Sequence, residues 1–100
     1  MNGITLHKGD LPTGLDFGPL VAIDCEAMGL NLHRDHLTLV QLSSGDGTAH
    51  LVQLGRDYDC PNLKTLLTDP KVVKIFHYGR YDIAMMLRWM GITCAPVWCT

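Results

Sequence analysis

The sequence contains no apolar run of about 18 residues, the length that reads as a bilayer-crossing helix. Its opening, Met1 to Gly9, is polar and mixed, without the basic and then apolar order of an export signal. Neither a membrane span nor a leader is expected. The four cysteines, Cys25, Cys60, Cys94 and Cys99, form no C-x-x-C pair that could complete a zinc site. Reduced thiols and a cytoplasmic location are therefore the expectation. Positive charge is also scarce, with 8 Lys and Arg against 10 Asp and Glu and a formal charge of -2. That balance excludes a broad basic face binding nucleic acid through counterion release alone, so a phosphate-bearing substrate would need local help such as bound metal. No repeat, low-complexity tract or interdomain linker is visible.

What the chain does have is enough apolar residues, 47% of 100, for one small core. Ile4 to His7 alternates weakly as a short strand, and the Gly- and Pro-bearing stretch Gly9 to Gly18 must be loop. Leu20 to Cys25 is an apolar run of strand length with Val and Ile. Leu37 to Ser43 and Thr48 to Leu54 read as a hairpin around the turn Ser44 to Gly47. Pro61 then suits a helix start, with Leu63, Leu66 and Leu67 at helical spacing until Asp69-Pro70. Val72 to Phe76 is another buried strand, Tyr81 to Met90 a helix closed by Gly91, and Val97 to Cys99 the start of one more strand. This order predicts an α/β fold, a mixed sheet with helices packed against it.

Chemistry concentrates in two places. In Val21-Ala22-Ile23-Asp24-Cys25-Glu26 an apolar strand ends in two acids one residue apart, and such residues share a face of the strand. Carboxylates held close together repel unless a cation lies between them, which is how an acid pair becomes a hard-metal site. Two solvated acids at a strand end would look the same in sequence. In His77-Tyr78-Gly79-Arg80-Tyr81-Asp82 a second strand leads to an acid in the first turns of a helix, where the helix dipole also favours it for purely structural reasons.

Together the segments are more specific. Ile23-Asp24-Cys25-Glu26-Ala27-Met28-Gly29-Leu30 resembles the first exonuclease motif of the DEDD nucleases, and Lys74-Ile75-Phe76-His77-Tyr78-Gly79-Arg80-Tyr81-Asp82 resembles the second. Between them, His33-Arg34-Asp35-His36 and Val40 to Gly47 are similar to the RNase D-like branch, and most closely to the nano-RNase C type enzymes that degrade very short RNAs. The similarity runs from Ile4 to Thr100.

The resemblance implies a ribonuclease H-like fold and 3'-5' hydrolysis of terminal phosphodiesters of single-stranded RNA or short oligonucleotides, with two divalent ions, Mg²⁺ or Mn²⁺. It assigns Asp24 to bridge both ions, Glu26 to the ion that activates water, and Asp82 to the second ion through water. Met28, Gly29 and Leu30 would line the terminal-nucleotide pocket, with His77 and Tyr78 contacting phosphate or sugar. Ordinary packing is the alternative for each of those five. The nearest relatives in such a family are homo-oligomers. Family members also carry a third motif, with a tyrosine or histidine and a fourth acid on a later helix. These 100 residues stop before it, so the expectation is the N-terminal part of a single exonuclease domain, poorly active alone. A non-catalytic nucleic-acid-binding or interaction module on the same scaffold is the other reading.

Two further groups draw attention without carrying a role. His33 and His36 have metal-like spacing but no other ligands, and a solvated turn is expected, with Arg34 available to a phosphate. Met85, Met86, Trp89 and Met90 sit at helical spacing and are expected to pack on the sheet. Cys25 should face away from the acids, on the opposite side of its strand.

Overall fold

The computed structural model describes residues 3–29, 31 and 33–100. In chain order the elements are β1 (Ile4–Lys8), β2 (Leu20–Ala27), β3 (Leu37–Ser43), β4 (Ala49–Gln53), α1 (Pro61–Thr68), β5 (Val73–Phe76), α2 (Arg80–Met85), a π-helical segment (Met86–Met90) that continues it, and β6 (Val97–Cys99). The six strands form one mixed sheet in the order β1-β4-β3-β2-β5-β6. β2, β3 and β4 pair antiparallel, while β1 runs parallel to β4, β5 to β2, and β6 to β5.

Strand alternation sorts the side chains onto two unlike faces. On one face Val21, Ile23, Leu37, Val40, Leu42, Val52 and Phe76 are buried together with Leu63 and Leu67 of α1 and with Met85, Met86 and Met90. The expectation that these methionines are core is met. The opposite face presents Ile4, Leu6, Leu20 and Trp98 to solvent beside Asp24 and Glu26. Trp98 is 67% exposed there.

Two polar groups, half-buried Asp10 and buried Lys74, brace the helical layer. Asp10, in the β1–β2 loop, accepts hydrogen bonds from the Asn62 and Leu63 backbone N–H groups at 3.0 and 2.8 Å. It thereby satisfies orphan donors of the first turn of α1, where the N-cap residue Cys60 supplies no side-chain bond. Lys74 is fully enclosed, and its ammonium donates to the carbonyls of Asp69 (2.6 Å) and Ala95 (2.8 Å), tying the end of α1 to the approach to β6. Burial holds its pKa below the ordinary lysine value, and nearby Cys94 and Asp69 offset part of that.

Candidate active site

β2 and β5 are adjacent and parallel, and they pair only from Leu20 to Ala22 against Val73 to Ile75. Beyond that stretch the chain leaves β2 toward β3 on one side and leaves β5 through α2 toward β6 on the other. Connections that depart in opposite directions open a crevice at the strands' carboxyl ends, the place where α/β sheets bind ligands.

Asp24 and Glu26 stand on the open face at this end of β2, about 7 Å apart along the strand. The sequence reading ended the strand at Cys25. Pairing instead continues through Ala27, with Asp24 opposite Gln41 and Glu26 opposite Leu39, so the acids are held inside a strand rather than on a loop. A shallow hollow of about 100 Å³ lies beside Asp24, lined also by Ala22, Ile23, Gln41 and Ser43. A larger hollow of about 300 Å³ lies away from the acids, between the β1–β2 loop and α1. Its acids Asp16 and Asp69 are each spent on a turn, accepting from the Gly18 and Lys71 backbone N–H groups.

Asp82 comes to the same crevice from the first turn of α2 and is only 9% exposed. Burial pushes its carboxyl up to about 6, with the charges of Asp24 and Glu26 adding to the rise and the Cys25 backbone N–H opposing it. The three acids named from sequence therefore lie within electrostatic reach of one another. They do not close on a common point, since among the described residues no three His, Cys, Asp or Glu side chains form a ready cage for an ion. Cys25 points to the opposite, partly buried side, as expected, and burial raises its thiol well above the usual range.

The turn from β5 into α2 is tight. A side-chain carbon at Gly79 would lie 2.6 Å from Phe76 Cγ and 3.2 Å from Cys99 Sγ, so only glycine fits. Tyr78, just before it, has φ 51° and is 80% exposed. A left-handed backbone at an aromatic residue is strained, and such strain persists where the surroundings impose it. His77 is exposed and stacks at a tilt on Tyr78, with its Nδ1 3.0 Å from Thr100 Oγ1.

Met28 is 68% exposed at the end of β2. Gly29 offers its carbonyl to the Tyr81 hydroxyl at 2.6 Å, which ties the β2–β3 loop to α2. The room that a side chain at position 29 would need is filled by the Asp35 carboxylate of the same chain. Leu30 lies outside the described residues.

Three features of this end escaped the sequence. Asp35 is buried; it accepts from the Arg34 guanidinium at 2.9 Å and from the Asn31 backbone N–H, and these hold its carboxyl below the usual range. Arg34, considered for a phosphate, is thus paired within its own loop. His36 is not the solvated turn residue expected, for it packs against Trp89 and meets Arg56 at 2.8 Å. Trp89 in turn rests on His36 and Tyr58. The contacts of His36 and Trp89 join residues far apart in sequence, so no local spacing reveals them.

Comparison with known proteins fixes the ancestry. Residues 12–100 match the 3'-5' exonuclease family. The chain belongs to that family. Within it, ribonuclease D of Granulibacter bethesdensis is 36% identical over 90 residues, covering 90% of this chain and 23% of that protein. Brucella melitensis NrnC with bound Mg²⁺ superposes with a TM-score of 0.91 at 45% identity, over 97% of this chain and 49% of that one. The same enzyme bound to pGG gives 0.92 at 44% identity, over 99% and 50%. The chain is RNase D-like, near the nano-RNase C branch, and its sheet is the ribonuclease H-like one of those neighbours. It spans about half the length of the NrnC structures and under a quarter of that ribonuclease D.

Proposed function

We propose that the protein is a metal-dependent 3'-5' exoribonuclease acting on short single-stranded RNA, with Asp24, Glu26 and Asp82 as its catalytic carboxylates. The observation that carries this reading is their meeting at the β2–β5 crevice, with Asp82 raised to about 6 by burial and by its two neighbours. The donor chemistry fits a hard cation, because carboxylate oxygens are the ligands such ions take. The lack of a closed three-acid cage does not oppose it, since Mg²⁺ keeps several waters and uses one or two carboxylates. Asp24 would be shared between two ions, Glu26 would serve one and Asp82 the other. When bound, such ions activate water and offset charge on the departing 3' oxygen. That NrnC has been seen with Mg²⁺ and with pGG supports both the metal and a very short RNA.

The remaining residues bind and orient. Tyr78, strained and exposed beside the crevice, presents an aromatic face on which a base can stack, and His77 stands next to it as a polar contact. Met28 offers an apolar surface at the end of β2, and Gly29 fixes the loop through Tyr81. Residues 1–100 are read as the N-terminal part of one exonuclease domain, with the third motif supplied by sequence beyond them. The exposed apolar side chains of Ile4, Leu6, Leu20 and Trp98 on the open face support this, because a large apolar patch marks a surface that is covered in the whole protein.

The test is digestion of a 5'-labelled diribonucleotide and a longer single strand with Mn²⁺ and then with EDTA. The full-length protein and this chain are each compared with their Asp24→Asn variants. Cleavage from the 3' end that needs metal and Asp24 supports the proposal. A folded full-length protein that cleaves neither RNA leaves the binding-module reading in its place.

A further inference from the structure

Directly across from Asp24 on the open face stands a polar side chain that the proposed function leaves unused. The register of the sheet sets Leu6 of β1 opposite Leu51 of β4, Leu51 opposite Gln41 of β3, and Gln41 opposite Asp24 of β2. Partners in register project to the same side, so these four side chains form one row across the sheet. Leu6 belongs to the apolar patch that the rest of the protein covers. In this structure Gln41 and Asp24 are both exposed and are not bonded to each other, and water can serve the amide. Enclosed within a row of leucines, the same amide must find a partner or destabilise the fold.

The hollow beside Asp24 narrows the choice of partner. Ala22, Ile23, Asp24, Gln41 and Ser43 line it. Ser43 is engaged, its hydroxyl donating to the Thr48 carbonyl at 2.7 Å and accepting from the Gly45 N–H at 3.2 Å. That leaves the Asp24 carboxylate, whose Oδ1 accepts from the Cys25 N–H at 3.0 Å. Opposed residues of an antiparallel pair have Cβ atoms about 4.5–5.5 Å apart, a gap that a glutamine amide and a carboxylate span readily. An ionised carboxylate has about four lone-pair sites, so Asp24 can accept from both N–H groups and still offer oxygen to a cation. Resting on the exonuclease reading, we infer that Gln41 is a positioning residue for the metal centre, its Nε2–H donating to Asp24 Oδ2 and fixing the direction of that carboxylate. The effect falls on Asp24, the acid shared between both ions, so a turn of its carboxylate misplaces both. Ligating carboxylates held by such a hydrogen bond bind metal more tightly than those left to rotate.

The test is Mn²⁺ binding to the full-length protein, followed by electron paramagnetic resonance of the free ion. Wild type is compared with Gln41→Met, Gln41→Asn and Asp24→Asn. Methionine keeps the length and packing of the side chain but cannot donate, whereas asparagine keeps the amide on a shorter arm. Gln41→Met should weaken Mn²⁺ binding about tenfold, the low end of what loss of such an outer partner costs. Its melting temperature in EDTA should stay at or above that of wild type, and Gln41→Asn should recover part of the affinity. On a diribonucleotide, Gln41→Met should lower kcat and leave KM near the wild-type value. Wild-type Mn²⁺ affinity in Gln41→Met, beside a clear loss in Asp24→Asn, would overturn the positioning role and leave the exonuclease reading standing. A raised KM with unchanged Mn²⁺ affinity would also overturn it and make Gln41 a contact of the RNA itself. If Asp24→Asn binds Mn²⁺ as well as wild type, the metal site falls, and the role of Gln41 falls with it.

Discussion

Asp82 carries the largest electrostatic burden of the site, and its titration gives the residue-scale prediction. Below about pH 4 its carboxyl is protonated in both the folded and the unfolded chain. Between there and about 6 the unfolded chain has released the proton while the folded one keeps it, so stability falls as pH rises, and above about 6 the loss is complete. In EDTA, Asp82→Asn should therefore melt several degrees above wild type at pH 7.5 and level with it near pH 4. Mn²⁺ should raise the melting temperature of wild type and leave the variant nearly unmoved. A variant less stable than wild type at pH 7.5 would contradict the burial account. At Gly79 the expected cost is steric: Gly79→Ala presses on Phe76 and should lower stability by about 1–3 kcal/mol in urea unfolding. The acids were legible as residues because Asp-x-Glu and a helix-opening Asp are local patterns. The His36–Trp89 contact was not, since it depends on chain segments brought together only by folding, and the pairing of Asp35 inside its own loop follows no regular spacing.

The elements show what local pattern reveals and where it stops. The hairpin, the Pro61 helix start and the Gly91 stop were readable, and Gly91 indeed takes a left-handed φ of 71° at the C-terminal cap. The last two residues of β2 were missed, because Glu26 and Ala27 lack strand character of their own and are held by pairing with Leu39 and Leu37. The π-helical run from Met86 to Met90 was read as plain helix, for apolar residues on most sides leave its pitch unmarked. The cap of α1 was equally invisible, since Asp10 lies fifty-two residues from Asn62. Asp10→Ala should remove about 1–2 kcal/mol, seen as a lower urea midpoint with unchanged slope. The facing of β2 gives a complementary outcome: Cys25→Ser in the full-length protein should leave the proposed RNA cleavage near the wild-type rate, and a large loss would contradict the placement of that thiol behind the strand.

For the whole molecule, the decisive feature is a sheet whose order reverses between β2 and β5, placing the acids of two distant segments at one crevice. An α/β class was predictable from the alternation of strands and helix. The parallel pairing of β1 with β4 was not, because a five-residue strand carries no mark of its partner. The account stands on one claim above the others, that Asp24, Glu26 and Asp82 form one metal site. It is met most directly by adding Mn²⁺ to the ¹⁵N-labelled chain and following paramagnetic broadening of backbone amide signals. The account predicts broadening centred on residues 24–26 and 82 that disappears in Asp24→Asn. Broadening centred elsewhere, or unchanged in that variant, would contradict it.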